Sequence, residues 1–321
     1  MKNLFVSLHV VFLLCGISLS HCASINETSN EEDIFEEVLW AKIVSMPADK
    51  RLSVGIVLSG GGARGFAHTG VLDILEKNHF PIDMISGTSM GAVIGGLYAS
   101  GMGVERIWKF ASEADTKNVS KDFKGFSFLE LLIKNKLISP KYITAFVNDN
   151  LGGKKFSELK IPFACVSMDF CTGEKIIFTR GALSLAVRAS VNLPGMFEPI
   201  KYRHRYLVDG GVVDFLPVDA ARHLGAKWIL SSWVESDNNV LPRNVFSSLL
   251  QVIDIRGKIL AQKSAARSDF IIKPDVKDIK VADFNKCYEA GNKGLIEAKK
   301  NIKKAKRKYI ADSLPFVWRF F

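Results

Sequence analysis

Three short segments carry residue types suited to nucleophilic catalysis. Gly87-Thr88-Ser89-Met90-Gly91 sets a serine between small residues. An apolar run at 82–85 precedes it, and Ala92, Val93, Ile94, Leu97 and Tyr98 follow at helical spacing. This is a strand–turn–helix context, in which a tight turn lifts a serine hydroxyl clear of the backbone. Taken alone, the pentapeptide reads as a glycine-bordered helix cap; the flanking elements favour a nucleophile elbow. Gly60-Gly61-Gly62-Ala63-Arg64-Gly65 directly follows the apolar run at 52–58. Successive glycines let a backbone turn sharply, and their amides near a helix start gather donors that favour negative charge. A nucleotide phosphate and a reaction oxyanion both satisfy that description, and Gly60, Gly62 and Gly65 also fit the G-x-G-x-x-G spacing. Asp209-Gly210-Gly211 follows the apolar Tyr206-Leu207-Val208, so a strand delivers a carboxylate into an open loop. By itself that tripeptide is a turn.

The elements that position these segments alternate. Runs at 52–58, 82–85, 161–168, 175–178, 228–234 and 270–272 have strand length and composition. Segments after Gly65, from Ala92, at 217–224 and at 245–266 have helical patterns. Such alternation predicts an α/β fold of three layers, α/β/α, with a mostly parallel central sheet.

In order and in their connecting residues the three segments resemble the patatin-like phospholipase family. That family carries a G-G-G-x-[RK]-G oxyanion loop, a G-x-S-x-G elbow and a D-G-[AG] base. The likeness extends through Ala67-His68-Thr69-Gly70-Val71-Leu72, Thr172-Gly173-Glu174, Ala189-Ser190, Leu193-Pro194 and Phe197-Glu198-Pro199, and covers residues 52–235. The resemblance implies a Ser89–Asp209 dyad hydrolysing acyl esters of phospholipids or other lipids through an acyl-enzyme. It implies an oxyanion loop at Gly60, Gly61, Gly62, Ala63, Arg64 and Gly65, with the amides of Gly61 and Gly62 foremost, and Arg64 bracing the loop or meeting a lipid phosphate. Thr88 and Met90 complete the elbow, and Gly210 and Gly211 the base motif. A free carboxyl is too weak a base at neutral pH; burial raises its pKa into a useful range. The mechanism needs no cofactor and no metal, and no metal-ligand spacing is present.

Competing readings are definite. A Ser–His–Asp triad would need one of His68, His79, His204 or His223, none of which has the context of a triad base. A nucleotide-binding oxidoreductase would need an acid about 20 residues past the glycine loop; Asp83 is near that distance but begins its strand. A catalytically silent lipid-binding protein would leave the intact Ser89 and Asp209 unexplained.

The chain of 321 residues is 48% apolar, enough for a sizeable core, and carries a net charge of +10. Lys2, the apolar run at 4–19 and small residues at 20–24 read as an export signal over 1–23, too short for a spanning helix. The exported chain would be periplasmic, membrane-associated or secreted. Leu19-Ser20-His21-Cys22 resembles a lipoprotein cleavage box except at His21. An acidic leader over 24–50 follows, then a catalytic domain over 51–275 and a basic helical extension over 276–321. That extension's lysines, and the aromatic end at 316–321, suit a solvated face or peripheral contact with an anionic membrane. No nucleic-acid partner is expected. Phe123, Phe126, Phe128, Leu129, Leu131 and Leu132 form either a lid or a covering helix. Cys165, Cys171 and Cys287 read as free thiols.

Overall fold

The computed structural model describes residues 31–113, 140–235, 241–242 and 245–317. The export signal, the apolar stretch at 123–132 and the aromatic end beyond 317 lie outside the described residues. In chain order the elements are α1 (Glu31–Ser45), β1 (Val54–Leu58), α2 (Ala67–Lys77), β2 (Met84–Thr88), α3 (Met90–Ala99), α4 (Val104–Glu113), α5 (Lys141–Leu151), β3 (Phe163–Asp169), β4 (Lys175–Phe178), α6 (Leu183–Ser190), β5 (Ile200–Tyr202), β6 (Arg205–Asp209), α7 (Val218–His223), β7 (Trp228–Ser232), α8 (Val245–Ala265), β8 (Phe270–Ile272) and α9 (Cys287–Val317). A turn of 3-10 helix at Gly62–Phe66 separates the glycine loop from α2.

Among the described residues the sheet has eight strands. Its centre, β3-β2-β1-β7-β8, is parallel, whereas β4, β5 and β6 join antiparallel. Helices cover both faces. Val57 packs with Val218 and Ala221 of α7, while its neighbour Leu58 lies beneath Gly95 of α3. Adjacent strand residues point to opposite faces, so these contacts define two helical layers around one sheet. The α/β/α fold expected from the alternating pattern is present. Helix α3 is buried on nearly all sides, and its apolar composition leaves no polar face to hydrate.

Strand β2 runs two to three residues later than its apolar run. Pairing begins at Met84 and continues through Ser86 and Thr88, whose hydroxyls donate to the carbonyls of Pro217 and Asp214 at 2.8 Å each. Those bonds make polar residues acceptable in a central strand.

Register at β3 decides where the chemistry sits. Val166 pairs with both Thr88 and Ile177, and Ser167 with both Ile176 and Asp209. A strand has two edges, so β2 and β6 share one edge of β3, end to end, opposite β4. The residue after Thr88 is therefore brought beside Asp209.

The compact unit holding this sheet runs from Ser53 to Ile302, past residue 275. The reason is close backbone packing of α9 on α2: a Cβ on Gly70 would lie 2.1 Å from the Gly291 carbonyl oxygen, and one on Gly294 would overlap that of Ala67. A second unit combines the described residues from Glu31 to Leu52 with those from Lys303 to Val317. Within it the leader is the helix α1, whose Asp33 and Glu36 pair with Arg307, and Trp40 meets Tyr309 edge-on.

Candidate active site

Ser89 stands between β2 and α3 at φ 53°, ψ −124°, a conformation that a side chain strains to adopt. Its surroundings enforce it. A Cβ on Gly87 would lie 2.3 Å from the Gly91 oxygen, and one on Gly91 would lie 2.3 Å from the Leu58 oxygen, so the turn closes only with glycine at both places. The Ser89 amide donates to Ser190 Oγ at 2.9 Å, and that hydroxyl donates to the Val166 carbonyl at 2.6 Å. Ser190 is wholly buried and ties the elbow to β3.

Asp209 ends β6. Its amide donates to the Asn192 carbonyl at 2.8 Å, and its Oδ1 accepts the Gly211 amide at 2.7 Å. Oδ2 is buried with no formed hydrogen bond among the described residues. Burial pushes the pKa up to about 7, opposed by the Gly211 amide and more weakly by the adjacent Ser89 hydroxyl. Ser89 is thus near enough to favour the ionised carboxylate without completing a bond at Oδ2. Gly210 leaves no room for a side chain, since a Cβ there would lie 2.3 Å from the Val166 oxygen.

In the glycine loop two amides remain open. The amides of Gly60, Ala63 and Arg64 are already committed, to the carbonyls of Phe215, Val281 and Gly61 at 2.9, 2.9 and 3.2 Å. Those of Gly61 and Gly62 have no acceptor among the described residues. Gly62 has φ 55° and lines the same cavity as Ser89. Gly65 supplies space, because a Cβ there would lie 2.6 Å from Met90 Cβ. Arg64 is buried, with one guanidinium nitrogen 2.7 and 2.9 Å from the two Asp254 oxygens of α8. That ion pair braces the loop.

The histidines lie elsewhere. His68 is wholly buried and its pKa is lowered to about 4 by burial, opposed by a backbone hydrogen bond at Ser59. One ring nitrogen meets the Ser59 carbonyl at 2.9 Å and the other the Ser232 hydroxyl at 2.7 Å. His79, His204 and His223 are exposed. Asp83, the acid a nucleotide site would need, accepts the Val54 amide at 2.6 Å and joins β1 to β2. Among the described residues no three of His, Cys, Asp and Glu gather as a metal site.

A cavity of about 380 Å³ opens at Ser89. Met90, Val93, Phe110, Phe146, Leu193 and Phe284 wall it, and Glu113 and Asp149 also reach it. Sequence reasoning missed Ser190, Val281 and Phe284. Only Ser190 left a trace, as part of the Ala189-Ser190 likeness; Val281 and Phe284 arrive from distant chain with no local signature.

The family model described as patatin-like phospholipase matches residues 56–222. A lysophospholipase NTE1 of Debaryomyces hansenii is 34% identical over 202 residues, covering 61% of this chain and 13% of that protein. An uncharacterized NTE family protein of Mycobacterium tuberculosis is 36% identical over 169 residues, 51% of this chain and 44% of that protein. The chain thus spans less than half the length of these relatives. The crystal structure of VipD from Legionella pneumophila aligns with 79% of this chain and 67% of its own at 12% identity, with a TM-score of 0.48.

Proposed function

The chain belongs to the patatin-like phospholipase family, and from that membership we propose that it is a lipid acyl hydrolase of the phospholipase A or lysophospholipase type, with Ser89 as nucleophile and Asp209 as general base. The observation that carries the reading is the register at β3, which sets a strained serine beside a wholly buried carboxyl with one unfilled oxygen.

Ser89 Oγ attacks the ester carbonyl carbon while its proton passes to Asp209 Oδ2. The negative charge gathers on the carbonyl oxygen, towards the Gly61 and Gly62 amides; one such donor is worth roughly 3 kcal/mol. Collapse breaks the ester C–O bond, and Asp209 returns the proton to the departing alcohol. Water then attacks the acyl-Ser89 ester, gives its proton to Asp209, and releases the fatty acid as Oγ regains that proton. A carboxyl with a pKa near 7 suits both directions of transfer at neutral pH. The apolar walls receive the acyl chain.

The test is incubation of the purified protein with defined phospholipids, lysophospholipids and neutral acyl esters, with products identified by mass spectrometry. Fatty acid released from a phospholipid or lysophospholipid supports the reading. Release from neutral esters alone would remove the phospholipid part, and no release from any ester would leave the silent lipid-binding alternative. We also propose that residues 1–23 direct export, for which amino-terminal sequencing of the natural protein should find a start near Ser24; an intact Met1 in a cytosolic fraction would refute it.

A further inference from the structure

We propose that α8 is a docking helix by which the protein settles on an anionic lipid surface. The inward side of this helix is fully used. Asp254 holds Arg64 of the oxyanion loop, Gly257 lies against Phe215, and Leu250 and Ala261 are buried. The opposite side is different. Val252, Ile255 and Ile259 are 60%, 43% and 50% exposed. Their spacing of three and four residues makes them one continuous stripe. Folding gains nothing from holding three branched apolar side chains in water, and stripes of this kind mark contact surfaces.

Charge selects the occupant. The helix carries Arg256, Lys258 and Lys263, and its lone acid, Asp254, is turned inward on Arg64. An apolar stripe whose charged companions on the helix, the inward Asp254 aside, are all cations has the composition of a helix lying in the headgroup boundary of an anionic leaflet, each cation near that surface contributing roughly fivefold to partitioning. The position is also apt. Leu249 packs 2.7 Å from where a Cβ on Gly195 would stand, two residues from Leu193 in the cavity wall. One helix therefore presents its outer face to lipid, braces the oxyanion loop with its inner face, and adjoins the wall of the acyl cavity. The identity of the surface as lipid rests on the acyl-hydrolase reading, but the docking does not need catalysis to be measured.

The experiment uses the full chain with Ser89→Ala, so that vesicles survive. Flotation is compared on vesicles of phosphatidylcholine alone and of phosphatidylcholine mixed equally with phosphatidylglycerol. The parent should float with the mixed vesicles and be released by added salt. Val252→Ser/Ile255→Ser/Ile259→Ser should lower that binding about tenfold or more, and Lys258→Glu/Lys263→Glu by a similar factor. In chains with Ser89 intact, both sets should hydrolyse a soluble short-chain ester at the parent rate, and circular dichroism should match. Equal flotation of the triple variant and its parent would overturn the proposal, as would equal binding to neutral and mixed vesicles. A parent that elutes as a dimer, floats with neither vesicle and becomes monomeric in the triple variant would make the stripe an interface between copies instead. Flotation as expected, with no hydrolysis of any ester by the parent, would sink the acyl-hydrolase reading and leave the docking in place.

Discussion

Asp209 and His68 are both wholly buried, and burial drives both towards their uncharged forms, Asp209 up to about 7 and His68 down to about 4. Their bonding differs. Both nitrogens of His68 are occupied, by the Ser59 carbonyl and the Ser232 hydroxyl, so the ring pins the end of β1 to the end of β7. Asp209 has one oxygen fixed by Gly211 and the other unfilled beside Ser89. Burial sets a protonation equilibrium; an open bonding position next to the proposed nucleophile is what suits Asp209 to the proposed chemistry. Asp214 makes the same point, a buried carboxyl raised by desolvation but tied to Lys175 at 2.9 Å.

The contrast can be broken most severely at the nucleophile both residues would serve. Ser89→Ala should abolish labelling by a fluorophosphonate probe and lower hydrolysis by on the order of 10⁴-fold or more. Full activity in that variant would end the scheme.

Asp209→Asn keeps the shape and removes the proposed base. Pre-steady-state acylation by a chromogenic ester should fall about 10²- to 10⁴-fold. The parent's kcat/KM should rise with pH to a plateau above about 7, and the variant should lack that limb. Stability should move the other way. The folded carboxyl holds its proton more tightly than the unfolded one, so its contribution is complete below the ordinary carboxyl pKa and is lost as pH rises through about 7. Denaturant unfolding at about pH 8 should therefore show Asp209→Asn more stable than its parent, by at most on the order of 4 kcal/mol.

Ser190→Ala sharpens the comparison from the side of the elbow. It strands the Ser89 amide and the Val166 carbonyl, at a cost of roughly 1–3 kcal/mol. Acylation should drop about tenfold, while the pH at half-maximal rate stays where Asp209 sets it.

His68→Asn should leave acylation within about threefold and cost roughly 1–3 kcal/mol of stability. Its pH signature opposes that of Asp209. A histidine whose folded pKa is depressed contributes stability that is present above pH 6.5 and lost as pH falls through about 4, and this acid limb should vanish in the variant. Smallest of all, changes of His79, His204 and His223 to Asn should alter neither rate nor stability beyond error, since all three are exposed. A folded His68 variant that loses acylation as fully as Ser89→Ala, beside an active Asp209→Asn, would reverse the comparison and restore the triad.

What could be read from the linear chain was local and periodic. The strand and helix at 82–98 announced the elbow, because apolar spacing and two glycines around one serine are properties of neighbouring residues. The glycine loop was legible as an anion cradle for the same reason. The exposed turn between strands at Lys201–Arg205 was legible too, but the bounds of the strand before it were not, since only the later strand of that hairpin carries a continuous apolar run. Nor were the amides of Gly60 and Ala63 legible as occupied, because their acceptors stand at Phe215 and Val281.

By itself the sequence determined the residue types, their order and the α/β alternation, and with these the family resemblance. Tertiary structure decided which of those residues meet. Ser89 and Asp209 are 120 positions apart in the numbering, and only the shared edge of β3 brings them together. The pKa of Asp209 is likewise a property of the packed state, because desolvation depends on every group that excludes water from the carboxyl. So is the division in the glycine loop between the two spare amides and those of Gly60 and Ala63, which Phe215 and Val281 occupy. Hydrogen-bond partners far apart in sequence are chosen by the fold, and a local pattern holds no record of them.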